Sequence, residues 1–460
     1  MPKFEMKQSK RQLTSYAGLS LRGQCFEVAG MTSWLDGKLP VSGGMKTSDI
    51  AKSMGGLISL GKPDFDAIEP FRNDRFFRES LGISRVPSAA SLRQRLDKLG
   101  GNERAEADLR EHTTEMSVCL IERAKAPITA HEGYVRLDFD TFTMDNSGTQ
   151  KEEVSRTYQG FDGYTPIAAY LGNEGWCVNL ELRPGSQHSA LDTQYFLTER
   201  TFPQVERLTP AAAKILSVSD SGFDSACLLF AHDDEHRRYQ ALGRSFDWVV
   251  KWNPRKRKSE DWVAQANQAG ATWQESRPGK RIALFDQTVE RAWAGKRRIF
   301  RLVIQVIERT IDKKGQHLLT PEVEVEGWWT SLADAPEAVI APYRYHGTHE
   351  QFHSEIKTDL DLERLPSGKF GTNDAMLHLG MFAYNCLRLI GQLGLTGNLS
   401  PVRHPAKRRR LRTVLQEVMT RAAQFIAKAR QRILDFGALA APVVPVFVHV
   451  QDPLHAVRSP

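Results

Sequence analysis

The sequence of 460 residues is longer than one compact core of ordinary size, so two or three structural units of roughly 100 to 200 residues are expected. Hydrophobic residues make up 41% and charged residues 25%, and no stretch approaches the roughly 20 uninterrupted apolar residues of a membrane helix, which argues against a membrane protein. The net charge of +7, from 62 basic and 55 acidic residues, favours a polyanionic partner.

The five cysteines lie far apart without a CxxC pair, so neither a disulfide framework nor a zinc finger is expected. The polar, basic N-terminus lacks the apolar core of a signal peptide, which predicts a cytoplasmic protein. The basic charge gathers in residues 403–432, where ten Lys or Arg residues accompany one acid, Glu417. Such a segment is typical either of a surface that follows a phosphate backbone or of a solvated helix face.

In chain order, residues 1–130 are predicted to form a helical DNA-binding region. The short helices of residues 47–100 include one that Ser88 is expected to cap, and its basic stretch 91–98 is a candidate to lie on DNA. Residues 131–245 begin with paired strands and continue with alternating helix and strand, which predicts a mixed α/β sheet.

Residues 246–330 are predicted to be a separate β-rich insertion, because they hold seven of the nine tryptophans and the basic run 251–258. Residues 331–395 are predicted to be helical. For residues 396–460 we expect a basic amphipathic helix over 407–436 and a Pro-rich, loosely ordered tail over 442–460.

The first candidate for chemistry is Asp140 in the strand RLDFDTF. Alternation along this strand places Asp138 and Asp140 on one face, opposite Leu137 and Phe139. Carboxylates are rarely buried unless they are paired or bind a metal, so this face is a candidate cation site. The alternative is an edge strand with both acids in water.

The second candidate is Asp220, at the carboxyl end of the apolar strand KILSVSD and before Gly222, which permits a sharp turn. Ligand sites in open α/β sheets lie beyond the carboxyl ends of strands, which suits a metal ligand. The alternative is an Asp that caps the following helix, and Asp224 competes for that role.

The third candidate is Glu350, in the segment APYRYHGTHEQFHSEIKTDL. On a regular helix Glu350 and Lys357 project on nearly the same face, with His346 nearby, while Glu355 points away. The alternative is a solvent-facing helix with spaced charges.

In this order, the blocks LDFDT, VSDSGFDS and YRYHGTHEQFHSEIKTDL resemble the insertion-sequence DDE transposases, in the subgroup with an HGT or RGT turn before the catalytic Glu. The resemblance implies an α/β fold: an RNase H-like mixed-sheet core, interrupted by the β-rich insertion and flanked by helical N-terminal and C-terminal regions. It assigns the catalytic and metal-binding acids to Asp140, Asp220 and Glu350, with Asp138 as the rival for the first place.

The resemblance also implies phosphate-binding roles for Tyr343 and Lys357, and it places His346 where the family has an arginine. It implies two Mg²⁺ ions, with Mn²⁺ as a substitute, and a homodimer that acts on the inverted repeats of the element and on target DNA. In such families the insertion can supply an aromatic that stacks on an extruded base. The candidates are Trp248, Trp252, Trp262, Trp273 and Trp293. Two alternatives remain: a DNA-binding protein with an inactive nuclease fold, and a nuclease or integrase without strand transfer.

Overall fold

The computed structural model describes residues 2–101, 103–255, 261–402 and 404–457, with all their side chains except those of 103–108, 346, 348 and 349. After a short strand, the N-terminal region is helical, as predicted. Its elements are β1 (Leu13–Thr14), α1 (Leu19–Val28), α2 (Met31–Lys38), α3 (Thr47–Ile58), α4 (Arg75–Ser80), α5 (Ala89–Gly100) and α6 (Glu103–Arg123). Ser88 caps α5 as predicted, because its hydroxyl oxygen accepts a hydrogen bond from the Ser91 N–H at 3.1 Å. None of the helices in the described ranges is long and apolar enough to cross a membrane.

A mixed sheet forms the centre of the molecule. The strands that follow α6 are β2 (Tyr134–Thr141), β3 (Met144–Asp145), β4 (Ser155–Arg156), β5 (Asp162–Tyr164), β6 (Ile167–Leu171), β7 (Trp176–Glu181), β8 (Lys214–Ser219) and β9 (Ser245–Lys251). The spatial order is β7-β6-β2-β8-β9, with β2, β8 and β9 parallel and β6 antiparallel to both of its neighbours. This is the RNase H-like arrangement, so the predicted fold class is confirmed.

Strand β2 lies in the middle of this sheet and shows the predicted alternation. Leu137 and Phe139 are fully buried on one face, where the Phe139 ring meets the Phe223 ring edge-on at 4.9 Å. Three helices flank β8 along the chain: α7 (Thr193–Tyr195) and α8 (Phe202–Leu208) precede it, and α9 (Ala226–Ala241) connects it to β9. Asp138 and Asp140 project from the opposite face of this strand, where Leu216 and Val218 of β8 are also buried.

The insertion extends the same sheet. It consists of α10 (Asp261–Gln268), β10 (Trp273–Arg277), β11 (Lys280–Trp293), β12 (Lys296–Ile311) and β13 (His317–Thr330). These strands pair antiparallel, and β13 also pairs with β9, so the sheet continues without a break. The predicted boundary at residue 246 falls inside β9, a strand of the central sheet, because β9 is as rich in aromatic and β-branched residues as the insertion. Residues 256–258 of the predicted basic run lie outside the described residues.

Helices and a hairpin complete the chain. Their bounds are α11 (Pro336–Arg344), α12 (His349–Ser354), α13 (Phe370–Leu395), α14 (Leu411–Val414), β14 (Ala423–Lys428), β15 (Gln431–Phe436) and α15 (Val444–Ala456). The helix predicted over 407–436 is wrong beyond the π turn Leu415–Met419, because β14 and β15 pair as a hairpin and β1 adds to β14. Buried Ala423 and Phe425 alternate with half-buried neighbours, a period of two that suits a strand.

The predicted loose tail is also wrong, because residues 444–456 are helical. A proline in the first turn is compatible with a helix, since the amide it lacks has no partner within the helix there. Val446, Phe447, Val450 and Leu454 bury the apolar face of α15.

Asn385 of α13 joins this helix to the edge of the central sheet. Its side-chain carbonyl accepts the Cys177 N–H at 3.0 Å, and its amide donates to the Cys177 carbonyl at 2.7 Å. We expect Asn385→Leu to destabilise the protein by roughly 1 to 3 kcal/mol for each of the two backbone groups it leaves unpaired. Urea unfolding measures this, with exposed Asn398→Leu as the control. Equal stability of the two variants would contradict the assignment.

Candidate active site

The first two predicted acids lie at the same edge of the central sheet. Asp140 is the penultimate residue of β2, and Asp220 directly follows the last residue of β8. These strands run parallel with Asp138 opposite Val218, so the register, continued by two residues, sets Asp140 beside Asp220. Residues in register on neighbouring strands project to the same face, and both carboxylates therefore face the same side of the sheet.

A cavity of about 320 Å³ brings the three predicted acids together. Its walls are formed by Asp140, Asp220, Glu326, Trp328, Tyr343, Arg344, Gly347 and Glu350. Glu350 reaches this cavity, the acid pocket, from α12, after the tight turn Tyr345–Thr348. Two strand ends, the helix α12 and the insertion strand β13 thus meet at one place.

Asp138, the rival for the first position, is engaged elsewhere. It is 8% exposed, and its two oxygens accept hydrogen bonds from Arg136 Nε at 3.1 Å and from Arg136 Nη2 at 2.7 Å. The same guanidinium donates to the Pro342 carbonyl at 2.5 Å. The Arg136–Asp138 pair is internally neutral and lines a different cavity, and the bond from Arg136 to Pro342 links β2 to α11. Asp140, by contrast, lines the acid pocket together with Asp220 and Glu350.

Asp220 combines both of the interpretations that its sequence allows. Its Oδ1 accepts the Gly222 N–H at 2.9 Å and so caps the short turn Ser221–Phe223, while the residue also lines the acid pocket. Asp224 has a structural role instead. Its oxygens accept the Asn253 N–H at 2.9 Å and the Trp329 indole N–H at 3.1 Å, which ties this turn to the insertion.

Helix α12 is held from behind by a buried carboxylate. Glu355 is fully buried and pairs with Arg388 of α13 and, at 2.9 Å, with Arg408. Arg408 also donates to the side-chain oxygen of Gln351 at 2.5 Å. Since α12 spans only six residues, too few for a helix that is stable alone, these contacts fix its position and that of Glu350.

A second buried acid repeats the arrangement one turn later. The Asp359 side chain is fully buried, and it accepts hydrogen bonds from Arg410 Nε at 2.8 Å and from the Arg412 N–H at 3.0 Å. Part of the basic segment 403–432 therefore binds carboxylates of the protein itself. A role of its remaining cations in following DNA stays a prediction.

Of the predicted phosphate-binding residues, Tyr343 lines the acid pocket, whereas Lys357 forms an ion pair elsewhere. Tyr343 lines the acid pocket, with its ring edge-on to Trp328 at 5.9 Å. Burial, and then the charges of Asp220 and Asp140, raise the pKa of Tyr343, so its phenol keeps its proton as a donor. Lys357 is bound to Glu363 at 3.0 Å.

Lys357 lies in the π turn Glu355–Asp359, and it is not among the described residues that line the pocket. The side chain of His346 lies outside the described residues.

Sequence reasoning missed several residues at the site, among them Trp328 and Arg344 of the pocket wall. Glu326 of β13 supplies a fourth carboxylate to the pocket, from a strand in which Glu alternates with Val. Tyr158 is 67% exposed, and desolvation and then the charges of Asp140 and Asp220 raise its pKa to about 12. No periodicity marks Tyr158, because its place depends on tertiary structure.

The five tryptophans proposed for base stacking divide by burial. Trp248, Trp252 and Trp262 are in the core, at 1%, 5% and 2% exposure. Trp273 is half-buried, and Trp293, at the end of β11, is 44% exposed. Three of the five are therefore core residues, and a stacking role for Trp273 or Trp293 stays a prediction.

The chemistry of the pocket suits a hard divalent cation. Its carboxylates are the ligands that Mg²⁺ prefers in proteins, and several like charges in one pocket disfavour each other unless a cation balances them. Within the described residues, no three His, Cys, Asp or Glu side chains are close enough to hold one ion together. The carboxylates of the pocket thus fit a hard divalent cation by their chemical type, and not by a set of side chains already gathered around one ion.

The buried pairing behind α12 gives a stability prediction. Arg388→Met removes one of the two partners of Glu355, and we expect a loss of about 3 kcal/mol, because a buried carboxylate is left undercompensated. The double variant Glu355→Leu/Arg388→Met should lose less than the sum of the single changes. Urea unfolding measures both, with exposed Arg430→Met as the control. An Arg388→Met variant as stable as the control would refute the pairing.

Comparison with known proteins agrees with the resemblance. The family described as Transposase DDE domain group 1 matches residues 5–459. The cryo-EM structure of a piggyBac transposase synaptic complex with hairpin DNA is similar to this chain, with a TM-score of 0.40 and 12% sequence identity, over 89% of this chain and 83% of that chain. No curated protein matches the sequence significantly. Because the family match spans nearly the whole chain, this protein belongs to the DDE transposase family.

Proposed function

We propose that this transposase cuts DNA at the ends of an insertion sequence and joins the exposed 3′ hydroxyl ends to target DNA, with Asp140, Asp220 and Glu350 as its catalytic acids. The observation that carries this proposal is the meeting of these three side chains at one pocket, although 80 and 130 residues separate them along the chain (220 − 140 and 350 − 220). The family supports the reaction class, and the donor set supports the need for a divalent metal.

The residue types fit phosphoryl transfer. Asp140, Asp220 and Glu350 would hold two Mg²⁺ ions, which supply activation of a water and stabilisation of the leaving oxygen. Asp140 and Asp220 are fixed by adjacent strands, while Glu350 depends on the position of a short helix. The protonated Tyr343 can donate a hydrogen bond to a phosphate oxygen.

No covalent intermediate with the protein is needed. Water attacks first, and the 3′ hydroxyl that it exposes then attacks the target phosphodiester at the same site. Both steps displace an oxygen from phosphorus, so one set of acids serves hydrolysis and strand transfer. We propose a homodimer that holds two element ends, which would let the two cuts and the two joining reactions be coordinated.

The test is a plasmid excision assay, in which the DNA that flanks the gene brackets a marker and the protein is supplied in trans with Mg²⁺. We expect wild-type protein to excise and reinsert the marker. Asp220→Asn and Glu350→Gln should lower excision by at least about a hundredfold, because each loses a charged ligand of the reaction centre.

Matched controls are Asp435→Asn and Glu337→Gln, which neutralise exposed acids outside the pocket and should excise as wild type does. Excision by the two active-site variants at control rates would show that the assigned acids are wrong. Binding of the ends without cutting by wild-type protein would favour a DNA-binding protein with an inactive nuclease fold. Cutting without rejoining would favour a nuclease or integrase without strand transfer.

A further inference from the structure

The end of β9 brings a cation into line with the catalytic acids. Strand β9 runs parallel to β8 with Val250 opposite Ser219, so the register, continued by one residue, sets Lys251 beside Asp220. Asp140 lies in register on the other side of Asp220. Three neighbouring strands thus end in Asp140, Asp220 and Lys251, and all three side chains project to one face of the sheet.

Residues of the pocket wall hold the ammonium of Lys251. It binds Glu326 Oε1 at 2.5 Å, and it lies 5.5 Å from the centre of the Tyr343 ring and 5.9 Å from that of Trp328. Aromatic faces attract cations, and Glu326, Trp328 and Tyr343 all line the acid pocket. With its side chain 27% exposed, Lys251 is held in one place and still reachable from solvent.

The acidic pocket needs cations near it if it is to bind a DNA phosphate, and the ammonium of Lys251 is one of them. Asp140, Asp220, Glu326 and Glu350 would repel a DNA phosphate, and they outnumber Arg344, the cation of the pocket wall, while Lys357 is bound to Glu363. An ammonium carries three N–H donors and no acceptor, so it can keep one carboxylate and still donate to a phosphate oxygen.

We propose that Lys251 binds a phosphate of the DNA strand in the active site and that Glu326 both orients this lysine and weakens its hold on the phosphate. The proposal rests on the proposed function, because it concerns the same pocket. Glu326 competes for the ammonium and repels the phosphate with its own charge. The two residues therefore act on DNA binding in opposite directions.

The experiment measures DNA affinity by fluorescence anisotropy in EDTA, on a duplex that contains the junction between the flanking DNA and the element end. Lys251→Met should weaken binding and reduce the slope of log affinity against log salt by about 0.7 to 0.9, the loss of one phosphate contact. Lys251→Arg should keep most of the slope. Glu326→Gln should tighten binding more than twofold, and Lys251→Met/Glu326→Gln should lose most of that gain.

The control is Lys428→Met, an exposed lysine on the C-terminal hairpin, for which we expect a smaller change of slope than for Lys251→Met. Wild-type affinity and slope in Lys251→Met would overturn the proposal. Unchanged or weaker DNA binding by Glu326→Gln would also overturn it. This second measurement does not depend on whether the Lys251 variants fold. Thermal unfolding checks that each variant is folded.

These results are independent of cleavage, because EDTA removes divalent metal. If Asp220→Asn and Glu350→Gln still excise the marker, the proposed catalytic acids fail whatever the binding data show. If those variants are inactive but the binding of Lys251→Met is that of the wild type, only the phosphate-binding role fails.

Discussion

The position of Glu350 depends on a buried ionic contact that lies behind it. Glu355 and Asp359 have no access to water, so each must be paired inside the protein. Their partners are Arg388 of α13 and three arginines that follow α13 in the chain, Arg408, Arg410 and Arg412. A buried ion pair of this kind adds little to the free energy of unfolding, because its desolvation cost offsets the attraction between the charges. It favours one position of α12, because every alternative position leaves a buried carboxylate without a partner.

The other residues of the site are positioned by the register of neighbouring strands in the central sheet. Asp140, Asp220 and Lys251 stand side by side because β2, β8 and β9 are parallel neighbours, and β13 pairs with β9 and brings Glu326 and Trp328 to the same place. The insertion is thus a continuation of the catalytic sheet and forms one wall of the pocket. This explains why a segment so different in composition belongs to the same structural unit.

Most of the fold and the location of the site could be predicted from the sequence, because both depend on local patterns. Alternation in β2, the polar end of β8 and the helical segment around Glu350 make these acids candidates, and the resemblance to the DDE transposases selects them. The choice between Asp138 and Asp140 could not be made, because it depends on Arg136 and on a carbonyl of α11. The π turn that contains Lys357, and the pairing of the basic segment with two acids about 50 residues away, could not be predicted. Such long-range pairing leaves no periodic signal.

Metal-directed cleavage of the protein backbone tests most directly whether Asp140, Asp220 and Glu350 together hold the metal. Fe²⁺ is bound in place of Mg²⁺ and allowed to react with ascorbate and peroxide, so that radicals cut the chain close to the metal ligands. We expect three cuts, near residues 140, 220 and 350, all suppressed by excess Mg²⁺ and weakened in Asp220→Asn. Cuts confined to the region of residues 355–359, or a pattern without the cut near 350, would contradict it.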